Sequence, residues 1–505
     1  MGQHQISLDF YSLNEFRQVI EALPPLALND EVAGRIGQGA RYVQEKAEQD
    51  IHIYGVNTGF GSLCETRIGA DEVELLQYNH VVSHACGVGE AVPERIVRLM
   101  MLIKLLTFRT GHTGISLPTV QRLLDFWNAG LIAVVPKRGT VGASGDLAPL
   151  AHLALPLLGL GQVSYRGEVR PAREALAQAG FEPLRLKAKE GLALTNGVQY
   201  INAIAIDCLL QAEELVRCAD VIASLSVQAF SASQTFYQAA YHETSYHEER
   251  RTVAANLRRL LEGSNHWDLP TCNKSKQDPY SFRCLPQVHG AVRQATGFAI
   301  GTLEREVNGV SDNPLFFPET DQILFDGNLH GESTAFSLDF LTIATSELAN
   351  ISERRTYQLL SGQRGLPSFL VKEPGLNSGY MIAQYTSAAL VNENKVLSTP
   401  ASVDTIPTCQ LQEDHVSMGG TSAYKAQQVI ENCWNVLAIE LLLAVQAIDF
   451  NQGLKLSPTA QRIRDEVRER VTFLERDRVV HDDILAARAY LDEHREEWRT
   501  SLGLG

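Results

Sequence analysis

Tyr200-Ile201-Asn202-Ala203-Ile204-Ala205-Ile206-Asp207-Cys208-Leu209-Leu210-Gln211-Ala212-Glu213-Glu214-Leu215-Val216-Arg217 is the stretch whose reading decides the architecture. It lies within Val198 to Glu262, which contains neither glycine nor proline. Strands of a sheet need frequent turns, and turns draw on those two residues, so the whole stretch reads as helix. From Tyr200 to Phe230 the chain is apolar almost all round, and Asp207, Gln211, Glu214 and Arg217 form a single polar stripe. A helix with so narrow a polar face is buried on most sides, inside a bundle. Thr421 to Gln452 repeats the pattern, with Val429, Trp434, Val436, Leu437, Ile439, Leu441, Leu442 and Val445, and Phe340 to Leu360 reads similarly. Thr459 to Trp498 alternates charge with apolar residues at helical spacing and suits a surface-facing cap.

Residues before about 200 are different. Glycine is dense in Tyr54-Gly55-Val56-Asn57-Thr58-Gly59-Phe60-Gly61 and from Gly139 to Gly145, and short apolar pieces such as Leu131 to Val135 suit strands or buried turns. The expected fold class is mainly α, a long-helix bundle with a smaller loop-rich N-terminal domain. The expected partition is residues 1–200 for that domain and 201–505 for the central and C-terminal helical body. No repeat of fixed period and no low-complexity linker interrupts the chain.

Composition narrows the function. The 505 residues are 45% hydrophobic and 20% charged, which excludes disorder as the main state. Lys and Arg number 44 against 59 Asp and Glu, a formal charge of −15, which argues against broad binding of nucleic acid or anionic membrane. The eight cysteines form no CxxC pair, so neither a zinc ribbon nor a disulfide framework is expected, and a reducing cytoplasmic compartment is. The N-terminus lacks a basic flank before an apolar segment, so no signal peptide is expected. The most apolar run, Leu147 to Gly161, contains His152 and two prolines and falls short of the ~18 residues of a membrane span. A soluble protein is expected.

The densest chemical signal is Gly139-Thr140-Val141-Gly142-Ala143-Ser144-Gly145-Asp146-Leu147-Ala148-Pro149-Leu150. A plain glycine-rich turn before a helix is one reading. A hydrolase elbow fails because Asp146 stands where the last glycine of G-x-S-x-G belongs, and a phosphate loop fails because no lysine follows. Self-condensation fits better. The Gly145 nitrogen can attack the Ala143 carbonyl, and loss of two waters gives a five-membered ring with an exocyclic methylene at Ser144. Glycine lets the chain bend tightly enough, serine supplies the departing hydroxyl, and alanine is small enough for close approach. The product is a methylidene-imidazolone, an electrophile that no standard side chain provides.

This segment closely resembles the signature of the histidine/phenylalanine/tyrosine ammonia-lyase family. Further motifs resemble that family in the right order: Tyr54 to Gly61, Leu194-Thr195-Asn196-Gly197, Gln277-Asp278-Pro279-Tyr280-Ser281-Phe282-Arg283-Cys284, Ser311-Asp312-Asn313-Pro314 and Gln412-Glu413-Asp414-His415-Val416-Ser417-Met418. The resemblance implies removal of an amine from an amino acid, by covalent activation at the methylene made autocatalytically from Ala143-Ser144-Gly145, with no metal or dissociable cofactor. It implies a mainly helical homotetramer whose active sites each collect residues from three subunits. Tyr54 resembles the base that takes the β-proton. A phenol with a reference pKa near ~10 does this near neutral pH only with its anion stabilised, by cations or helix N-termini. Arg283 resembles the clamp for the substrate carboxylate. Asn196, Gln277 and Tyr280 resemble donors to the electrophile, the amine or the carboxylate. Asp146 reads as an N-cap for the run from Leu147. His242-Glu243-Thr244-Ser245-Tyr246-His247 imitates a metal motif, but five-residue spacing turns the histidines about 140° apart on a helix, so a solvated face is expected.

The choice of amino acid rests on fewer residues. Ser83-His84 resembles the histidine-type members, although some tyrosine-type members carry the same pair. Glu413 resembles them more specifically, because an imidazole offers an N–H that a buried carboxylate can accept and a benzene ring does not. Leu329 departs from the family pattern, which usually has Phe in the substrate pocket there. The expected activity is deamination of histidine to urocanate. A tyrosine or phenylalanine lyase or aminomutase of the same family is the alternative, and a helical scaffold without catalysis is the third class.

Overall fold

A computed structural model describes residues 2–49, 51–272 and 277–505. Eighteen α-helices and nine short strands are present among them, and the longest helices are Gln199–Ala229, Leu285–Asn308, Glu332–Leu360 and Gly419–Phe450. The fold is mainly α, as the break-free stretches predict. The segment read as a helical cap, Thr459 to Trp498, is made of two helices, Pro458–Arg470 and Val480–Ser501. Ser457 caps the first by accepting from Ala460 N, and the helix closes at Val471 with extended backbone.

The chain packs into two compact units of three segments each. Unit 1 is Met1–Asp207, Ile300–Leu338 and Pro400–Tyr424; unit 2 is Cys208–Ala299, Asp339–Thr399 and Lys425–Gly505. Neither is a single consecutive segment, so neither coincides with the linear partition at residue 200. The reason is that long helices are continuous through positions where loop-rich and helical sequence alternate.

Unit 1 holds all nine strands, in four small sheets. His4–Ile6 pairs with Leu26–Leu28 in parallel, Val88–Ala91 pairs antiparallel with Pro136–Arg138, and Leu315–Phe317 pairs antiparallel with Gln322–Leu324. The apolar piece at Leu131 to Val135 is a strand over Ile132–Ala133, paired with Ser164 and Val163 of the hairpin Gln162–Tyr165/Glu168–Pro171. Around these pack the helices Val73–His84, Glu94–Phe108, Leu147–Ala154 and Glu190–Thr195. The Glu94–Phe108 helix is buried from Leu99 to Phe108.

Among its described residues unit 2 has helices and connecting loops and no strand longer than an isolated bridge. Its core is knit by one buried carboxylate. Glu440 accepts from Ser226 Oγ (2.7 Å), Ser352 Oγ (2.5 Å), and Arg355 Nε and Nη2 (2.6 and 2.8 Å). One face of Glu332–Leu360 departs from the buried reading: Phe340 and Ile343 are exposed, and Phe298 packs on Phe340 at 5.7 Å while exposed itself. The His242 to His247 stretch is not one solvated face either. The helix breaks between Glu243 and Glu248, and His242 is buried, with Nε2 on the Phe236 carbonyl (2.7 Å) and Nδ1 accepting from Arg250 Nε (3.2 Å).

Among the described residues one helix, Gly419–Phe450, is long and apolar enough to cross a membrane. Of its most apolar stretch, 83% is buried inside the protein, which is how a core helix behaves. All eight cysteines are free thiols.

Candidate functional site

The Ala143-Ser144-Gly145 turn is held in an unusual backbone. Gly142, Ser144 and Gly145 all have left-handed φ, +83°, +52° and +78°. Serine rarely adopts that conformation, and for a residue with a Cβ it is disfavoured by about 1–2 kcal/mol. Gly142 and Gly145 pair as an isolated bridge, and Gly145 pairs with Gly197 beside it. A Cβ on Gly145 would lie 2.2 Å from the Gly197 carbonyl oxygen, so no other residue fits. The Ser144 carbonyl accepts from Asn196 Nδ2 (3.1 Å) and from the Gly197 amide (3.4 Å). This tight bend, its close-packed glycine and its doubly hydrogen-bonded carbonyl fit the self-condensation that the sequence suggests.

Asp146 stands at the N-cap position of Leu147–Ala154, where its carbonyl accepts from the Leu150 amide (3.0 Å), but its side chain makes no capping bond there. Its carboxyl accepts from the Tyr200 and Ile201 amides (3.0 and 2.9 Å), so it caps the first turn of Gln199–Ala229 instead. Burial pushes its pKa up to about 7, against the opposing pull of those amides, Thr140 and Lys104. The residue after the turn is thus tied to the helix that follows Asn196-Gly197-Val198.

Ser144 opens onto a cavity of about 700 Å³ in unit 1. Tyr54, His84, Asn196 and Glu413 share its wall with Phe60, Leu76, His80, Leu192 and Cys409. No Arg or Lys is among the described lining residues. A second cavity in unit 1, about 640 Å³, shares Ile68 with the first and holds none of the site residues read from the sequence.

Each polar group in the wall has a definite tether. The Ser144 hydroxyl donates to Glu413 Oε1 (2.7 Å), and Thr408 Oγ1 donates to Glu413 Oε2 (2.7 Å). A backbone bridge between Thr408 and Glu413 closes that loop, which carries three successive left-handed residues, Cys409, Gln410 and Leu411. The Tyr54 hydroxyl accepts from the Gly61 amide (3.1 Å). Burial raises its pKa, the Gly61 donor opposes that, and Glu413 raises it further. His84 sets Nδ1 at 2.6 Å from the His80 carbonyl, which fixes the Nδ1–H tautomer and leaves Nε2 as an acceptor. Burial lowers the His84 pKa, against the raising effects of that carbonyl and Glu413.

Sequence reasoning missed the supports behind this wall. Gln77 is fully buried and donates to the Gly55 carbonyl (3.2 Å) while accepting from the Gly191 and Leu192 amides (2.9 and 3.3 Å). It thereby ties the Tyr54 loop to the helix that ends at Asn196. His80 stacks between Phe60 and His84, 4.0 Å from each ring, with Nε2 on Thr195 Oγ1 (2.8 Å). Both lie on Val73–His84, seven and four residues before His84, and that helical spacing is the only signal the sequence offers for them.

The other residues read from the sequence lie elsewhere. Leu329 sits half-buried in the turn before Glu332–Leu360 and does not line the cavity. Gln277, Tyr280 and Arg283 belong to unit 2. There Gln277 and Tyr280 are exposed, the Arg283 guanidinium lies 4.4 Å over the Tyr280 ring, and Arg283 Nε is buried without a hydrogen-bond partner among the described residues. The motif is anchored by Asp278, which accepts from the Ser233 amide and from Arg364 Nη2 (2.7 Å each). One group with metal-ligand side chains occurs among the described residues, His330, Glu332 and His415. His415 Nδ1 and His330 Nε2 are 3.4 Å apart, and His330 Nδ1 is 3.9 Å from Glu332.

The family described as aromatic amino acid lyase matches residues 11–469. The chain belongs to the aromatic amino acid lyase family. It is therefore an enzyme, an ammonia-lyase. The histidine ammonia-lyase of Symbiobacterium thermophilum is 46% identical to this lyase over 462 residues, 91% of each chain. A crystal structure of histidine ammonia-lyase from Trypanosoma cruzi superposes with a TM-score of 0.90 at 38% identity, covering 98% of this chain and 96% of that one. A tyrosine aminomutase from Streptomyces globisporus superposes with a TM-score of 0.93 at 34% identity, covering 100% of both.

Proposed function

We propose that this lyase deaminates L-histidine to urocanate and ammonia, as a cytoplasmic enzyme of histidine breakdown. The observation that carries the reading is Glu413, a carboxylate set in a cavity wall without Arg or Lys, both oxygens held by hydroxyls. The proposed condensation removes the Ser144 hydroxyl, and Glu413 Oε1 then needs a donor from the ligand. The imidazole of histidine supplies one, and a benzene ring does not. A tyrosine phenol also has a donor, and the Streptomyces globisporus neighbour makes a tyrosine substrate the second reading.

The methylidene-imidazolone formed from Ala143, Ser144 and Gly145 supplies an electron-poor methylene that turns the substrate amine into a better leaving group. The remaining work falls to side chains. Asn196 Nδ2 and the Gly197 amide polarise the Ser144 carbonyl, in the manner of an oxyanion hole. The buried Asn196 Oδ1 has no hydrogen-bond partner among the described residues and suits the N–H groups of the incoming amine. Tyr54 takes the β-proton at its phenol oxygen. Burial raises its pKa within one chain, and a cation or a helix N-terminus brought by assembly favours the anion. Arg283 is that cation and the clamp of the substrate carboxylate, with Gln277 and Tyr280 beside it, brought by assembly of a homotetramer. Exposed apolar side chains on the helices of unit 2, Phe340, Ile343, Ile382 and Tyr385, suit such an assembly. Leu329 takes a place near the ring of the substrate in the same assembly.

The test is turnover of histidine, tyrosine and phenylalanine by the purified parent, Ser144→Ala and Glu413→Gln. The parent is expected to form urocanate from histidine and to act far more slowly on the other two. Ser144→Ala is expected to form none, and Glu413→Gln to lose roughly 10²–10⁴-fold in kcat/KM on histidine. Equal turnover by the parent and Glu413→Gln contradicts the histidine reading and leaves the lyase in place. Assembly has its own test: co-expressed Tyr54→Phe and Arg283→Ala chains, each inactive alone, are expected to regain activity in mixed oligomers.

A further inference from the structure

Lys104 is a charge where the sequence around it is all core. It stands in Leu99-Met100-Met101-Leu102-Ile103-Lys104-Leu105-Leu106 on the helix Glu94–Phe108, with no exposed surface. Its ammonium donates to the Asn196 carbonyl (2.6 Å) and to Gln199 Oε1 (3.3 Å), both neutral oxygens. The nearby carboxylate of Asp312 is instead engaged by Lys189, with two bonds of 2.9 Å. Placing a lysine amine in a core without a contacting counter-charge is unfavourable, where a leucine or methionine costs nothing of the kind. Packing therefore does not explain the residue, and its target does.

The Asn196 carbonyl belongs to the same peptide unit as the Gly197 amide. That amide and the Asn196 side chain are the two groups that meet the Ser144 carbonyl, at 3.4 and 3.1 Å. We propose that Lys104 is a positioning residue for maturation of the Ala143-Ser144-Gly145 turn, acting by anchoring and polarising the Asn196–Gly197 peptide so that both donors stay on the Ser144 carbonyl. The proposal rests on the lyase reading above and extends it to how the turn becomes reactive.

The chemistry needs no oxidant or reductant. The Gly145 nitrogen bonds to the Ala143 carbonyl carbon. The Ala143 oxygen leaves as the first water, carrying the Gly145 and Ser144 amide protons, and a C=N bond forms between Ala143 carbon and Ser144 nitrogen. The Ser144 Cα proton and the Ser144 hydroxyl then leave as the second water, and the exocyclic C=C bond forms. As the Cα proton departs, negative charge develops on the Ser144 carbonyl oxygen, which is where the two donors point. One such donor is worth about 10²–10³ in rate. The Lys104 donor behind the Asn196 carbonyl strengthens the Gly197 N–H as a donor and holds the Asn196 backbone still.

The experiment is the intact mass of folded protein, followed with time after synthesis, for the parent, Lys104→Arg, Lys104→Met and Lys104→Gln, with circular dichroism and thermal unfolding alongside. The parent and Lys104→Arg are expected to become lighter by two waters at similar rates. Lys104→Met and Lys104→Gln are expected to do so at least tenfold more slowly while retaining the helical spectrum of the parent. If Lys104→Met fails to fold, Lys104→Gln against Lys104→Arg decides, and equal rates in those two overturn the proposal. A parent that loses two waters alongside a Lys104→Met chain that loses them as fast overturns this role alone. A parent that never loses them overturns the lyase reading, and this role with it.

Discussion

Gly145 shows how one position constrains the site. Its φ of +78° disfavours any side chain, and a Cβ would sit 2.2 Å from the Gly197 oxygen. Gly167 has φ +82° but open space around its Cβ position. Gly167→Ala is therefore expected to lower stability by about 1 kcal/mol, the strain alone. Gly145→Ala is expected to lower it by at least about 2 kcal/mol more, because backbone has to move, and to block the loss of two waters. Urea denaturation of the two variants against the parent checks both, and equal losses contradict the close approach. The reactive turn was legible in the sequence because three small residues in that order have few other uses. Tyr54 and Glu413 were legible only through the motifs around them. Nothing in the sequence foretold that burial raises the Tyr54 pKa, since the groups responsible are brought together from distant positions. Lys104 was visible as a lone charge in an apolar run, yet its partner is 92 residues away in the chain.

The helices obey a simpler logic. Tyr200 to Phe230 and Thr421 to Gln452 were readable because a 3.6-residue period survives any tertiary context. What joins them was not readable. Glu440 is a single charge in Leu437 to Leu443, and it turns out to bind Ser226, Ser352 and Arg355, linking the helices Gln199–Ala229, Glu332–Leu360 and Gly419–Phe450 within unit 2. Both members of the Arg355–Glu440 pair are fully buried. Glu440→Ala leaves a buried guanidinium unpaired and is expected to lower stability by about 3–5 kcal/mol. The double change Glu440→Leu, Arg355→Met is expected to be much milder, since it removes both charges together. Thermal or urea unfolding of the two proteins compares them directly, and a double variant as unstable as the single one contradicts the assignment. Asp146 was legible as the N-cap residue of Leu147–Ala154, but the destination of its side chain was not, for a related reason: a side chain at a turn can reach either of two helix starts, and only the fold chooses between them.

Stability of the whole protein should depend on acidity through its buried histidines. Burial lowers the pKa of His266 from 6.5 to about 4, and it lowers His80 and His289 as well. As pH falls below 6.5, the unfolded chain binds protons that these folded histidines refuse, so stability falls with acidification. Asp146 works in the opposite sense, because its folded pKa is raised from 3.8 to about 7 and the folded chain holds a proton there that the unfolded chain releases. A single variant separates the histidine contribution. Between pH 7 and pH 4, His266→Asn is expected to lose less stability than the parent by up to roughly 3 kcal/mol, read from urea midpoints. Identical pH dependence contradicts the burial argument. The proposed chemistry nevertheless turns on one local event, the condensation of three neighbouring residues in the wall of the unit 1 cavity. Mass measurement of the proteolytic peptide that contains Ala143, Ser144 and Gly145 tests it most directly. The peptide from active protein is expected to be lighter than its sequence by two waters, with Ser144→Ala restoring the arithmetic mass for its own sequence. A parent peptide of full mass, from protein that still releases ammonia from histidine, contradicts the account.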